Sequence, residues 1–195
     1  MAIGIAGPPA AAADLAKRLR AMTPADVSAA VTLHDDRAAG SVTVSTEAAF
    51  VRSPLSPIRH LLSDNHLRAV IDPQTATVTY EVHQSIFHWG EPRTFVAARF
   101  PAGGGARTVG LIRADAGERF CPNEDGWGHC ALTRQIAFPI AESDIRSIAA
   151  RYRPGGGDGW AYRIEESGGR HWDDRISPAE AAGLLLAVDQ VRTKG

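Results

Sequence analysis

Between Ala76 and Phe87, Val78, Tyr80, Val82 and Ile86 fall on one parity and Thr79, Glu81, His83 and Ser85 on the other. A period of two over that length marks an extended strand with one apolar and one polar face. Such a strand needs neighbours for its backbone and cover for its apolar side.

The rest of the chain offers those neighbours. His66 to Asp72 leads into Pro73-Gln74-Thr75 and forms a hairpin with the long strand, and Thr94 to Phe100, Arg107 to Arg113 and Ala131 to Phe138 continue the pattern. Val27, Ala29, Val31 and Leu33 alternate before the turn-like stretch 35–40, and Val42 and Val44 alternate after it, which reads as another hairpin. After Pro139 the period becomes helical, with Ile145, Ile148, Ala149 and Tyr152, and Pro154-Gly155-Gly156-Gly157 ends it. Trp160, Tyr162 and Ile164 alternate and turn at Ser167-Gly168-Gly169 towards Trp172. Ser177-Pro178-Ala179-Glu180 reads as a capping box opening an apolar helix through Leu184, Leu185, Leu186 and Val188. Short connections favour antiparallel pairing. The expectation is an α+β fold, an antiparallel sheet of about 7–9 strands with an N-terminal helix over 14–22, a helix near 142–152 and a C-terminal helix near 178–192.

A chain of 195 residues is large enough for an ordinary core, and one domain over 14–195 is the simplest division. Its composition, 44% hydrophobic and 22% charged, is that of a globular domain, and no run approaches the ~20 apolar residues of a membrane span. The net charge of −1, with Lys17-Arg18-Leu19-Arg20 as the compact basic run, argues against a nucleic-acid partner. Residues 1–13 are small and apolar and close on Ala11-Ala12-Ala13 before Asp14, like the rear half of a secretory signal. The 19 arginines against 2 lysines suggest a GC-rich bacterial genome.

Cys121 and Cys130 bracket the turn-rich segment Pro-Asn-Glu-Asp-Gly-Trp-Gly-His and read as a local disulfide, hence an oxidising compartment, periplasmic or secreted; reduced thiols in the cytoplasm are the alternative. Within that loop Trp127 sits between Gly126 and Gly128 as an anchor for a partner, with Glu124, Asp125 and His129 adding contacts. A metal held by Cys121, His129 and Cys130 would have three donors, two of them adjacent in sequence, so the pattern assigns neither metal nor cofactor.

Seven histidines invite a catalytic reading. His83 and His88 fall on opposite parity and point to opposite faces of a strand; His34 with Asp36 and His171 with Asp173 share parity. His83 lies with Glu81 and Ser85 on one face, and Arg93 and Arg99 near Trp89 present an anion-binding reading beside that of edge-strand charges. The chain contains no G-x-S-x-G, H-E-x-x-H or G-x-x-x-x-G-K-[ST] segment, so no motif names a reaction or a catalytic residue. The function expected is that of an exported, non-catalytic binding protein of the bacterial envelope, engaging another protein or an envelope component. The alternatives are a hydrolase or metal-assisted enzyme with dispersed His and Asp residues, and a structural part of an envelope assembly.

Overall fold

The structure, a computed structural model, describes residues 17–36, 38, 40–51, 63–121 and 130–194. The chain runs α1 (Lys17–Ala21), α2 (Pro24–Ala30), β1 (Thr32–Asp36), β2 (Ser41–Ser45), β3 (Asp64–Ile71), β4 (Val78–Trp89), β5 (Phe95–Ala102), β6 (Gly105–Gly110) and β7 (Arg113–Phe120). It continues with β8 (Ala131–Ile140), α3 (Glu142–Ala149), β9 (Trp160–Glu166), β10 (His171–Ile176) and α4 (Pro178–Lys194).

The α+β class is as expected, but the described residues form ten strands where about 7–9 were expected, and these divide into two antiparallel sheets. One sheet has the order β1-β2-β3-β4-β8-β7 and the other β10-β9-β5-β6. The long alternating strand is the reason for this layering. Its even residues Tyr80, Val82 and Ile86 are buried, and Phe138 on the paired β8 meets Phe100 of β5 at 5.9 Å and Tyr162 of β9 at 5.3 Å. The second sheet thus covers the apolar face of β4 and β8, while α4 covers the same face at β2 and β3.

A buried polar link also joins the two layers. Asn65 Nδ2 donates to the Tyr162 hydroxyl at 2.8 Å and to the Arg175 carbonyl at 3.1 Å, and the Tyr162 hydroxyl donates to Gln84 Oε1. Burying these groups as a hydrogen-bonded set avoids the penalty each would incur unpaired.

Two local expectations are corrected. The alternation from Val27 to Leu33 is helical in its first half, because Thr23-Pro24-Ala25-Asp26 starts a helix. Asp26 N donates to Thr23 Oγ1 at 3.2 Å, Thr23 N donates to Asp26 Oδ2 at 2.8 Å, and proline occupies the first turn. The hairpin survives with a later first arm, Thr32–Asp36 paired with Ser41–Ser45. The N-terminal helix expected over 14–22 is described as Lys17–Ala21; residues 1–16, including the signal-like stretch, lie outside the described residues.

The helices near 142–152 and 178–192 form as Glu142–Ala149 and Pro178–Lys194. In α4, the Ser177 hydroxyl caps by accepting from Ala179 N at 3.3 Å, while Glu180 turns into the core. Gly183 lets α2 and α4 touch, since a Cβ there would stand 2.5 Å from Val27 Cβ.

Candidate functional site

Chain geometry collects unusual chemistry at one end of the two-sheet stack. β4 ends, β5 begins and β8 begins at that end, with Trp89 opposite Ala131 and Phe95 opposite Glu166. Cys121 and Cys130 are disulfide-bonded there, with Cα atoms 4.3 Å apart, and Gly90 N donates to the Cys130 carbonyl at 3.1 Å. The bond ties the end of β7, whose Phe120 is opposite Ala131, to the start of β8. Because β7 is an edge strand interrupted by an irregularity between Ala116 and Arg119, this tie holds its least regular part against the sheet. Trp127, Glu124, Asp125 and His129, the residues expected to meet a partner, lie outside the described residues.

A loop of about ten residues closed by a disulfide is stabilised by roughly 2.7 kcal/mol through the unfolded chain. The double substitution Cys121→Ser with Cys130→Ser is expected to lower unfolding stability by about that much, measured by urea titration. A change below about 0.5 kcal/mol would show that the tie does not matter to the fold.

Behind the disulfide, the two sheets leave a cleft of about 150 Å³ lined by Arg93, Thr94, Phe95, Ala114, Arg134 and Ile136. Arg93 arrives from the segment before β5 and is rigidly placed. Its Nε donates to Glu166 Oε1 at 2.7 Å, its Nη2 also pairs with Glu166, and its guanidinium lies over the rings of Phe95 at 5.0 Å and Trp172 at 5.8 Å. Burial alone would raise the Glu166 carboxyl pKa, but hydrogen bonding and charge from Arg93, aided by Arg170, hold it below the ordinary value. Glu166 therefore stays ionised and fixes Arg93.

Arg134 is placed differently. It lies opposite Ile86 on β8, on the face turned towards the second sheet, and its Nε is buried with no hydrogen-bond partner among the described residues. His88, opposite Leu132, is its diagonal neighbour on the same face. Among the described residues neither ring nitrogen of His88 has a partner of good geometry, nor does Trp172 Nε1. Burial, then the charge of Arg93 with a smaller contribution from Arg134, lowers the His88 pKa, so the ring is neutral. Buried polar atoms without partners each cost on the order of 1–3 kcal/mol, which makes this group an energetically unfinished surface. Chemically it can accept a negative charge through the Arg134 guanidinium, which has no ion pair among the described residues.

The outward face of the six-stranded sheet carries a second polar group. His66 and His83 are register partners on β3 and β4 with stacked rings, centroids 5.0 Å apart, and Glu81 Oε2 lies 2.7 Å from His83 Nε2. The hydrogen bond from His83 lowers the Glu81 pKa, whereas burial, then the charges of His83 and Arg68, lower that of His66 to about 3. Ser85, the third member of that face, accepts from Gln135 Nε2 at 3.3 Å. A His–carboxylate pair can orient an imidazole, but the Ser85 hydroxyl is engaged elsewhere, and among the described residues no group of three or more His, Cys, Asp or Glu could hold a metal.

His171 does meet Asp173, at 3.3 Å on a solvent-facing hairpin, where Asp173 is shared with Arg163 at 2.8 Å. His34 is opposite Thr43, and Asp36 accepts from Ala38 N. Arg93 and Arg99 are not brought together, since Arg99 is exposed on β5 opposite Thr108. The true companion of Arg93 is Arg134, which sequence reasoning missed. Its signal is visible in retrospect: Arg134 has the parity of Leu132, Ile136 and Phe138 and stands as an arginine on an apolar face.

Comparison of the chain with protein-family models, curated proteins and solved structures finds no match.

Proposed function

We propose that this chain is a non-catalytic binding protein that receives an acidic group of its ligand in the cleft between Arg93 and Arg134. The observation that carries this reading is the buried Nε of Arg134, without a partner among the described residues, in one cleft with a second guanidinium already fixed in place. A pre-placed donor pair loses little freedom on binding, and charge-assisted hydrogen bonds to a carboxylate or phosphate are the strong ones. The disulfide bond is compatible with an extracytoplasmic setting, and no described helix is long and apolar enough to cross a membrane. The disulfide is what supports the proposed setting in a bacterial envelope.

Native mass spectrometry of the protein isolated from its own cells tests the reading. The expected result is a one-to-one adduct with an acidic small molecule that is absent from the Arg134→Met variant. A bare wild-type chain indistinguishable in ligand content from that variant would contradict it.

The enzyme reading draws on the His83–Glu81 pair, the half-buried His–carboxylate contact of the outward sheet face. It predicts a nucleophile or bound water within reach of His83, and the engagement of Ser85 by Gln135 weighs against Ser85 in that part.

A further inference from the structure

The cleft has a size, a charge and a wall chemistry, and together they narrow the ligand. Its volume of about 150 Å³ equals that of an engineered apolar cavity that takes up a benzene ring. Phe95 and Ile136, both buried, form apolar walls, and Ala114 is exposed at the rim, so an apolar body can enter past a small side chain.

The charge balance limits the head group. Among the described residues, Arg93 and Arg134 contribute two positive charges to the cleft, and Glu166, bonded to Arg93, removes one. Arg170 also reaches Glu166, at 3.2 Å, but its side chain is largely in solvent. The neutral His88 adds none. A net charge near one suits a monoanion, and a dianion would bring one charge into a partly buried site without a partner. Planarity points the same way. With Arg93 Nε and Nη2 already bonded to Glu166, the ligand's oxygens are left chiefly to Arg134, whose planar fork matches a planar carboxylate bidentately.

We infer that the cleft is a site for a small monocarboxylate carrying a compact apolar body of about one ring, in preference to a phosphate or a neutral molecule of the same shape. This rests on the proposed acid-binding function and adds the ligand class to it.

Isothermal titration of the full chain with benzoate, inorganic phosphate and benzyl alcohol separates the two. Benzoate is expected to bind saturably and at least tenfold more tightly than either of the others. Arg134→Met is expected to weaken benzoate at least tenfold, with circular dichroism confirming its fold. Ala114→Leu, a change at the exposed rim of an edge strand, fills the cleft and is expected to weaken benzoate at least tenfold while leaving phosphate within threefold. Phosphate binding as tight as benzoate, or benzoate binding unchanged in Ala114→Leu, overturns the ligand class and leaves acid binding standing. Binding of none of the three, or binding of the two anions that Arg134→Met does not alter, overturns both.

Discussion

Replacing Glu180 with alanine is expected to destabilise the fold by about 2–4 kcal/mol, the sum of two buried hydrogen bonds lost at about 1 kcal/mol each and the cavity left by the side chain. Glu180 stands in the first turn of α4 and is fully buried. Its Oε1 accepts from the Thr46 hydroxyl at 2.6 Å and from Leu67 N at 3.1 Å, and the Thr46 hydroxyl also contacts the Leu67 carbonyl at 3.1 Å. One carboxyl group therefore fastens α4 to the residue following β2 and to the middle of β3. Truncation removes their shared acceptor, leaving Leu67 N only the Thr46 hydroxyl at 2.8 Å and the Thr46 hydroxyl only the Leu67 carbonyl, and it removes the volume of a fully buried side chain as well. Glu180→Gln keeps an amide oxygen for the same two donors and should recover a large part of the loss. Urea unfolding with an unchanged m-value gives the measurement, and a loss below about 1 kcal/mol in Glu180→Ala would refute this account of the α4 anchor.

The second large effect is loss of stability on acidification. The folded His66 has its pKa lowered to about 3, first by burial and then by His83 and Arg68, whereas the unfolded imidazole titrates near 6.5. Between those values the unfolded chain binds a proton that the native chain does not. Stability is thus fully present above about pH 6.5 and falls as pH drops towards 3, at up to about 1.4 kcal/mol per pH unit. The His88 pKa, also lowered, acts in the same direction over the same onset, and the lowered Glu81 pKa adds a loss below its unfolded value of 4.5. His66→Phe keeps a ring against His83 and removes the proton site. Denaturant titrations from pH 7.5 to 4 should therefore show the variant losing stability less steeply, by up to one proton's worth of slope. An identical slope in both proteins would mean that His66 is accessible to protons in the folded state.

How much of this was legible in the sequence depended on which force shaped each segment. The α4 helix and the β3–β4 and β9–β10 hairpins were readable because apolar periodicity and turn residues agree there. β7 was not. Arg113 to Phe120 contains Ala114, Asp115, Ala116 and Gly117, residues with little strand preference, and pairing with β8 and the nearby disulfide impose its conformation from outside. The division into two sheets was hidden for a related reason: β6 ends at Gly110 and β7 starts at Arg113, so the chain changes layers within a connection that reads as continuous strand.

The candidate site was legible only in part. Arg93 and the cysteine pair stand out as sequence features, but pairing Arg93 with Arg134 requires knowing that β8 lies beside β4 and that β5 packs against β8 from the other sheet. The histidine parity argument held for His83 and His88, which point to opposite faces. It gave no hint that His66 would stack on His83, because cross-strand register is set by the whole hairpin and not by either residue.

The most direct test of acid recognition is the amide NMR spectrum of the ¹⁵N-labelled chain titrated with benzoate and, separately, with inorganic phosphate, in wild type and Arg134→Met. The expected result is saturable shifts from at least one anion, confined to residues around Arg93 to Phe95, Ala114 and Arg134 to Ile136, and lost in the variant. Shifts that are absent with both anions, centred on another part of the molecule, or unchanged in Arg134→Met would contradict a binding function for the cleft.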